Sequence, residues 1–175
     1  MSPLPPSEFS RIIDLRHIST APITLSASED ERRALAARFS LVRIDKLEAV
    51  LTLLADGKTV TAKGRLIAQW VQPCAISGED LPQAVDEPLV LRFVPPNEGF
   101  AEGEEFEISE NDCDEIEYEG TGFDLGEAVA QSLGLAIDPF AVGPDAEEAR
   151  RRAGIVSEEA SGAFAALAGL KLPKA

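Results

Sequence analysis

Residues 47–70 read LEAVLTLLADGKTVTAKGRLIAQW, and their alternation decides what kind of fold the chain can adopt. Leu47, Ala49, Leu51, Leu53 and Ala55 alternate with Glu48, Val50, Thr52 and Leu54. Asp56-Gly57 is a dipeptide that favours a tight hairpin turn. On the return, Val60, Ala62, Leu66, Ala68 and Trp70 fall on one face, and Thr59, Thr61, Lys63, Arg65 and Gln69 on the other. Period two with one wet face implies an antiparallel sheet. The return strand ends at Pro73-Cys74, and a turn through residues 77–80 leads to a third long strand, Ala84 to Val94. Pro88 has no amide N–H to give to a ladder, which marks an edge or a bulge at that point.

Helical signals flank the hairpin. Upstream, Phe9 to Leu15 reads as a first strand, and Ser26 to Phe39 as a helix whose Ser28 and Glu31 form a capping box. Downstream, residues 114–140 read DEIEYEGTGFDLGEAVAQSLGLAIDPF. Asp124 and Glu127 form a second capping box, and Leu125, Val129, Leu133 and Ala136 recur at helical spacing. The helix ends before Asp138-Pro139, because proline disfavours helix in the residue ahead of it. Ile116 and Tyr118 suit a short strand.

The predicted fold class is α+β. It is a hairpin-based antiparallel sheet, with closure into a barrel left open, carrying two or three packed helices and an acidic loop. The expected layout is a disordered N-terminus over 1–8, one α+β domain over 9–142 with the acidic loop at 97–119, and a C-terminal tail over 143–175. That tail holds a short docking helix around Phe164 and Leu167.

The charge is lopsided. Net charge is −15, yet up to Arg92 there are 11 Lys and Arg against 12 Asp and Glu. From Phe93 onward the count is 5 against 19, and no Lys or Arg occurs between Arg92 and Arg150. Such a field repels phosphate backbones and attracts basic proteins. Direct RNA contact is therefore expected to be weak or indirect. No apolar run approaches the roughly 18 residues a membrane span needs. The N-terminus shows no basic and apolar leader pattern, so the expectation is a cytoplasmic protein with no membrane contact. Cys74 and Cys113 then read as reduced thiols.

Enzymatic chemistry finds little support. His17 is the sole histidine, and no Ser or Cys stands in a nucleophile motif. Asp112, Asp114, Glu115 and Glu117 lack the spacing of a calcium loop. Gly120-Thr121-Gly122 is followed by no lysine and sits among anions, unlike a phosphate loop. The expectation is no catalytic residue, no metal and no cofactor. Accessible acids with apolar residues spaced among them instead suggest a partner surface: Glu102, Glu104, Glu105, Phe106, Glu107, Asp114, Glu115, Glu117 and Tyr118.

The order of features resembles one family. The hairpin ending in WVQPCAISGEDLP, the LVLRFVP strand, the acidic loop, the DLGEAVAQSLGLAIDPF block and a C-terminal GAFAALAGLK are similar to the YceD family, the large ribosomal RNA accumulation proteins. The resemblance spans roughly Phe9 to Leu172, and its motif positions are Cys74, Asp124, Leu125, Gly126, Glu127, Asp138 and Pro139. It implies a non-enzymatic bacterial factor in ribosome biogenesis that supports accumulation of large-subunit ribosomal RNA. In many bacteria the family's gene neighbours that of a small basic large-subunit ribosomal protein. A basic ribosomal protein or assembly factor is thus the expected partner. The alternative is a metal-dependent RNA-processing nuclease using the acidic cluster. Many family members carry a CxxC pair at the Cys74 position; here the second position is Ser77, so no zinc knuckle is carried over.

Overall fold

The computed structural model describes residues 7–96 and 115–154. The hairpin forms where the alternation puts it. Strand β3 (Arg43–Asp56) pairs antiparallel with β4 (Thr59–Pro73), with Leu47 opposite Ala68, Leu53 opposite Ala62 and Ala55 opposite Val60. Gly57 turns the chain at a φ of 60°, a left-handed conformation that suits glycine. Leu47, Ala49, Leu51, Leu53, Val60, Ala62, Leu66, Ala68 and Trp70 are all buried. Ala55, beside the turn, is exposed.

By compactness the chain divides into two units, one of residues up to 72 and 82–138, the other of 73–81 and from 139 onward. The first carries a five-stranded sheet in the order β2-β3-β4-β5-β6, where β2 is Ile23–Ser26, β5 is Asp80–Val94 and β6 is Glu115–Glu117. Strand β6 runs parallel to β5 and pairs only with Arg92 to Val94. Among the described residues the order has two free ends, so this sheet is not closed into a barrel. A separate two-stranded ribbon joins β1 (Ile12–Asp14) to β7 (Gly122–Asp124).

Helix α1 (Glu29–Arg38) starts on the Ser28–Glu31 capping box, with both reciprocal hydrogen bonds present. Helix α2 (Leu125–Ala136) starts on Asp124, whose side chain accepts from the Glu127 N–H. Leu125, Val129 and Leu133 of α2 are fully buried beside Phe9, Phe93 and Phe123, and burying each such side chain is worth about 1.5–3 kcal/mol. Phe93 and Phe123 stack with centroids 4.0 Å apart.

Three expectations change. The first strand is shorter than Phe9–Leu15, because Leu15–His17 forms a 3-10 turn capped by the Asp14 side chain. The helix expected from Ser26 begins only at Glu29, because Ser26 closes a strand, Ile23–Ser26, that pairs with Glu48 to Leu51 of β3. The third long strand begins earlier than Ala84, at Asp80.

The second unit is built around the turn after β4. The Cys74 N–H donates to the Glu79 carbonyl, the Gly78 N–H to the Cys74 carbonyl and the Ala75 N–H to the Ala141 carbonyl. Helix α3 (Ala146–Arg152) follows, buried at Ala146. Arg150 pairs with Glu147 and Arg152 with Glu148 along it. The segment holding Phe164 and Leu167 lies outside the described residues.

Candidate functional site

The DLGE block is the first candidate, and its four residues act as a clasp. The Asp124 carboxylate accepts from the Arg11 N–H at 2.8 Å as well as capping α2, and the Leu125 N–H donates to the Arg11 carbonyl at 3.0 Å. Gly126 lies so close to the N-terminal segment that a Cβ there would fall 2.3 Å from the Phe9 carbonyl oxygen. Only glycine fits that approach. Glu127 accepts a two-pronged pair from Arg38 at 2.8 and 3.0 Å, and a hydrogen bond from the Ser7 hydroxyl at 2.6 Å. The Arg38 guanidinium pulls the Glu127 carboxyl down to about 2. Arg38 also meets Glu8, and Arg11 meets Glu31, so the network ties the N-terminal segment to α1 and α2. Every polar contact of the motif is satisfied within the fold, which gives the motif an architectural task.

Trp70 and Gln72 continue the theme. The Trp70 indole N–H donates to the Gln72 amide oxygen at 2.8 Å, and the Gln72 amide donates to the Asp138 carbonyl at 2.6 Å. This chain joins the WVQP and IDPF segments through a polar residue only 3% exposed. Pro139 is exposed.

Cys74 is the second candidate. Its sulfur accepts from the Ser77 N–H at 3.4 Å and from the Gly143 N–H at 3.3 Å. These donors, Gly143 first, push the thiol down to about 6, because they favour the charged form. The side chain is nonetheless buried, and Ser77 stands where a second sulfur would be needed. Cys113 is outside the described residues. Among the described residues, no group of three or more His, Cys, Asp and Glu is placed to hold a metal.

The third candidate is the outer margin of the sheet. Glu115 and Glu117 are exposed on β6, with Ile116 half-buried between them, and Glu119 follows, also exposed. Glu115 pairs with Arg92 at 3.0 Å. Tyr118, an accessible anchor on sequence grounds, is instead 6% exposed: its hydroxyl donates to the Lys58 carbonyl, and its ring lies 6.1 Å from that of Phe123. It supports the sheet. Glu102, Glu104, Glu105, Phe106, Glu107 and Asp114 lie outside the described residues.

Beside β6 runs a groove of about 590 Å³ that sequence reasoning does not foresee. Residues 87–91 of β5 form one wall, and Ala128, Gln131, Ser132, Leu135 and Ala136 of α2 the other. Pro88, read as an edge or a bulge, was the available signal for the β5 wall; Leu135, which lies off the buried stripe of α2, was the signal for the other.

A model of the family described as large ribosomal RNA subunit accumulation protein YceD matches residues 62–171. No curated protein and no solved structure matches the chain. The matched span takes in the return strand, the Cys74 turn, the acidic stretch and the DLGE clasp, and on this ground the chain belongs to the YceD family of large ribosomal RNA subunit accumulation proteins.

Proposed function

We propose that this family member is a non-enzymatic ribosome-biogenesis factor that supports accumulation or maturation of large-subunit ribosomal RNA by holding a basic protein partner on an acidic surface. The observation that carries this reading is the division of charge: all but 5 of the charged residues from Phe93 onward are acidic, 19 in number. Glu115, Glu117 and Glu119 present part of that charge on the exposed sheet margin. A free ribosomal protein is basic and has its charge unmet until it reaches RNA. An acidic surface covers that charge temporarily and then yields it to the stronger field of the RNA, so binding is fast, salt-sensitive and competed by RNA. Contact with RNA itself is weak or indirect on this reading, and the place of action is the cytoplasm.

Affinity purification from the native host, with and without nuclease treatment, tests the reading. Basic large-subunit proteins or assembly factors should remain bound after nuclease. Their complete loss on nuclease treatment would mean that association runs through RNA.

A further inference from the structure

We propose that the apolar surface around Ile76, Phe140 and Val142, in the second unit, is a docking site for the chain's own C-terminal segment 162–172, GAFAALAGLKL. The inference does not depend on the acidic-surface reading. Residues 73–81 and 139–143 lie side by side: the Ala75 N–H donates to the Ala141 carbonyl at 3.0 Å, and the Gly143 N–H to the Cys74 sulfur at 3.3 Å. Ile76 adjoins one partner of the Ala75–Ala141 bond, and Phe140 and Val142 flank the other. All three are exposed, Ile76 by 37%, Val142 by 53% and Phe140 by 79%. Apolar side chains gathered at one place are stabilised by cover, and such clusters mark interaction sites where singly scattered ones do not.

The chain's own course names the occupant. Helix α3 starts beside the surface, since the Ala146 N–H donates to the Gly143 carbonyl, and its seven residues advance only about 10 Å. The described residues end just beyond it, at Gly154. Phe164 comes ten residues later, and ten residues reach as far as about 33–36 Å, ample for a return along α3 to Val142. No charge occurs over 160–170, and Phe164, Leu167 and Leu170 recur at a spacing of three. A segment so short has no core of its own in which to bury them.

Charge and tethering agree with this choice. Lys171 closes the apolar run, and Glu79 and Asp80 are exposed at the end of the turn that carries Ile76. A segment joined by a short linker acts at an effective concentration on the order of millimolar. A second copy or a foreign segment competes with that concentration and is at a disadvantage.

The test uses the full chain with Phe164→p-benzoylphenylalanine, one aromatic for another. Dilute protein is irradiated, and the crosslinked residues are mapped by mass spectrometry. A monomeric adduct to residues 74–82 or 139–143 is expected. Val142→Asp, at an exposed position, should remove most of that adduct, and Ile76→Asp on the neighbouring turn should do the same. Monomeric adducts confined to other parts of the chain, or none at all, would overturn the proposal. So would an adduct at the expected residues that neither substitution reduces, since the apolar surface would then not hold the segment. Covalent dimers whose yield rises with protein concentration would assign the surface to a second copy and likewise overturn it.

Discussion

Glu127 shows how one side chain serves several elements. It receives Arg38, Ser7 and Gln131, and its folded carboxyl lies near 2. Glu31, held by Arg11, also lies near 2. A depressed carboxyl contributes stability that is present above the unfolded value, about 4.3, and is lost as pH falls through the folded one. Acid unfolding should therefore deepen between about pH 4.5 and 2. Glu127→Gln should cost about 1 kcal/mol at neutral pH, after allowance for partial solvation, and should flatten that acid limb. Urea titrations across the window check it, and an unchanged limb would contradict the assigned network. Cys74 has the same sign in a higher window. Its thiol lies near 6 in the fold, so its contribution grows as pH rises from 6 toward the ordinary thiol value and vanishes as pH falls through 6. The ultraviolet absorbance of the thiolate should titrate near pH 6 in the native protein, and the stability gap between wild type and Cys74→Ala should widen toward pH 9. Titration near 8.5 would mean that the Ser77 and Gly143 amides do not hold a thiolate.

At the scale of elements, what repeats is what sequence revealed. The β3–β4 hairpin has thirteen paired positions and a turn dipeptide, and α1 and α2 announce themselves by their N-caps. The full capping box forms at Ser28–Glu31 and only its Asp124 half at α2, where the Glu127 carboxylate turns to Arg38 instead. Of the strands of three or four residues, β1 and β6 were approximately legible, from Phe9–Leu15 and from Ile116 with Tyr118, whereas β2 and β7 carry too few alternations to register. These two exist because partners distant in the chain complete them: Leu25 sits opposite Ala49 and Phe123 opposite Ile13. The same limit applies to the candidate sites. The capping role of Asp124 was legible, whereas the pairing of Glu127 with Arg38 joins residues 89 positions apart. Tyr118 looked accessible because it stands among acids; its neighbour in space is Phe123. The groove beside α2 is formed by β5 and α2 together, and no single segment encodes it. For α2 the buried face was foreseen, and Leu133 is fully buried. Leu133→Ala should cost about 2–4 kcal/mol, read from the denaturant midpoint. No shift in the midpoint would mean that another face of the helix packs inward.

For the molecule as a whole, charge is divided along the chain. The hairpin half is near neutral and supplies most of the core, while the half after Arg92 carries the negative field. Solubility alone would not require acids so concentrated: between Glu98 and Glu119 there are eleven, with no cation among them. The most direct test is capture of purified basic large-subunit ribosomal proteins by the wild type and by a variant with Glu102, Glu104, Glu105, Glu107, Glu115 and Glu117 changed to Gln. Capture should be strong for the wild type at low salt, fall steeply with added salt, be competed by ribosomal RNA, and be largely lost in the variant. Equal capture by both proteins at low and at physiological salt would contradict the account and leave the acidic stretch as a solvated surface.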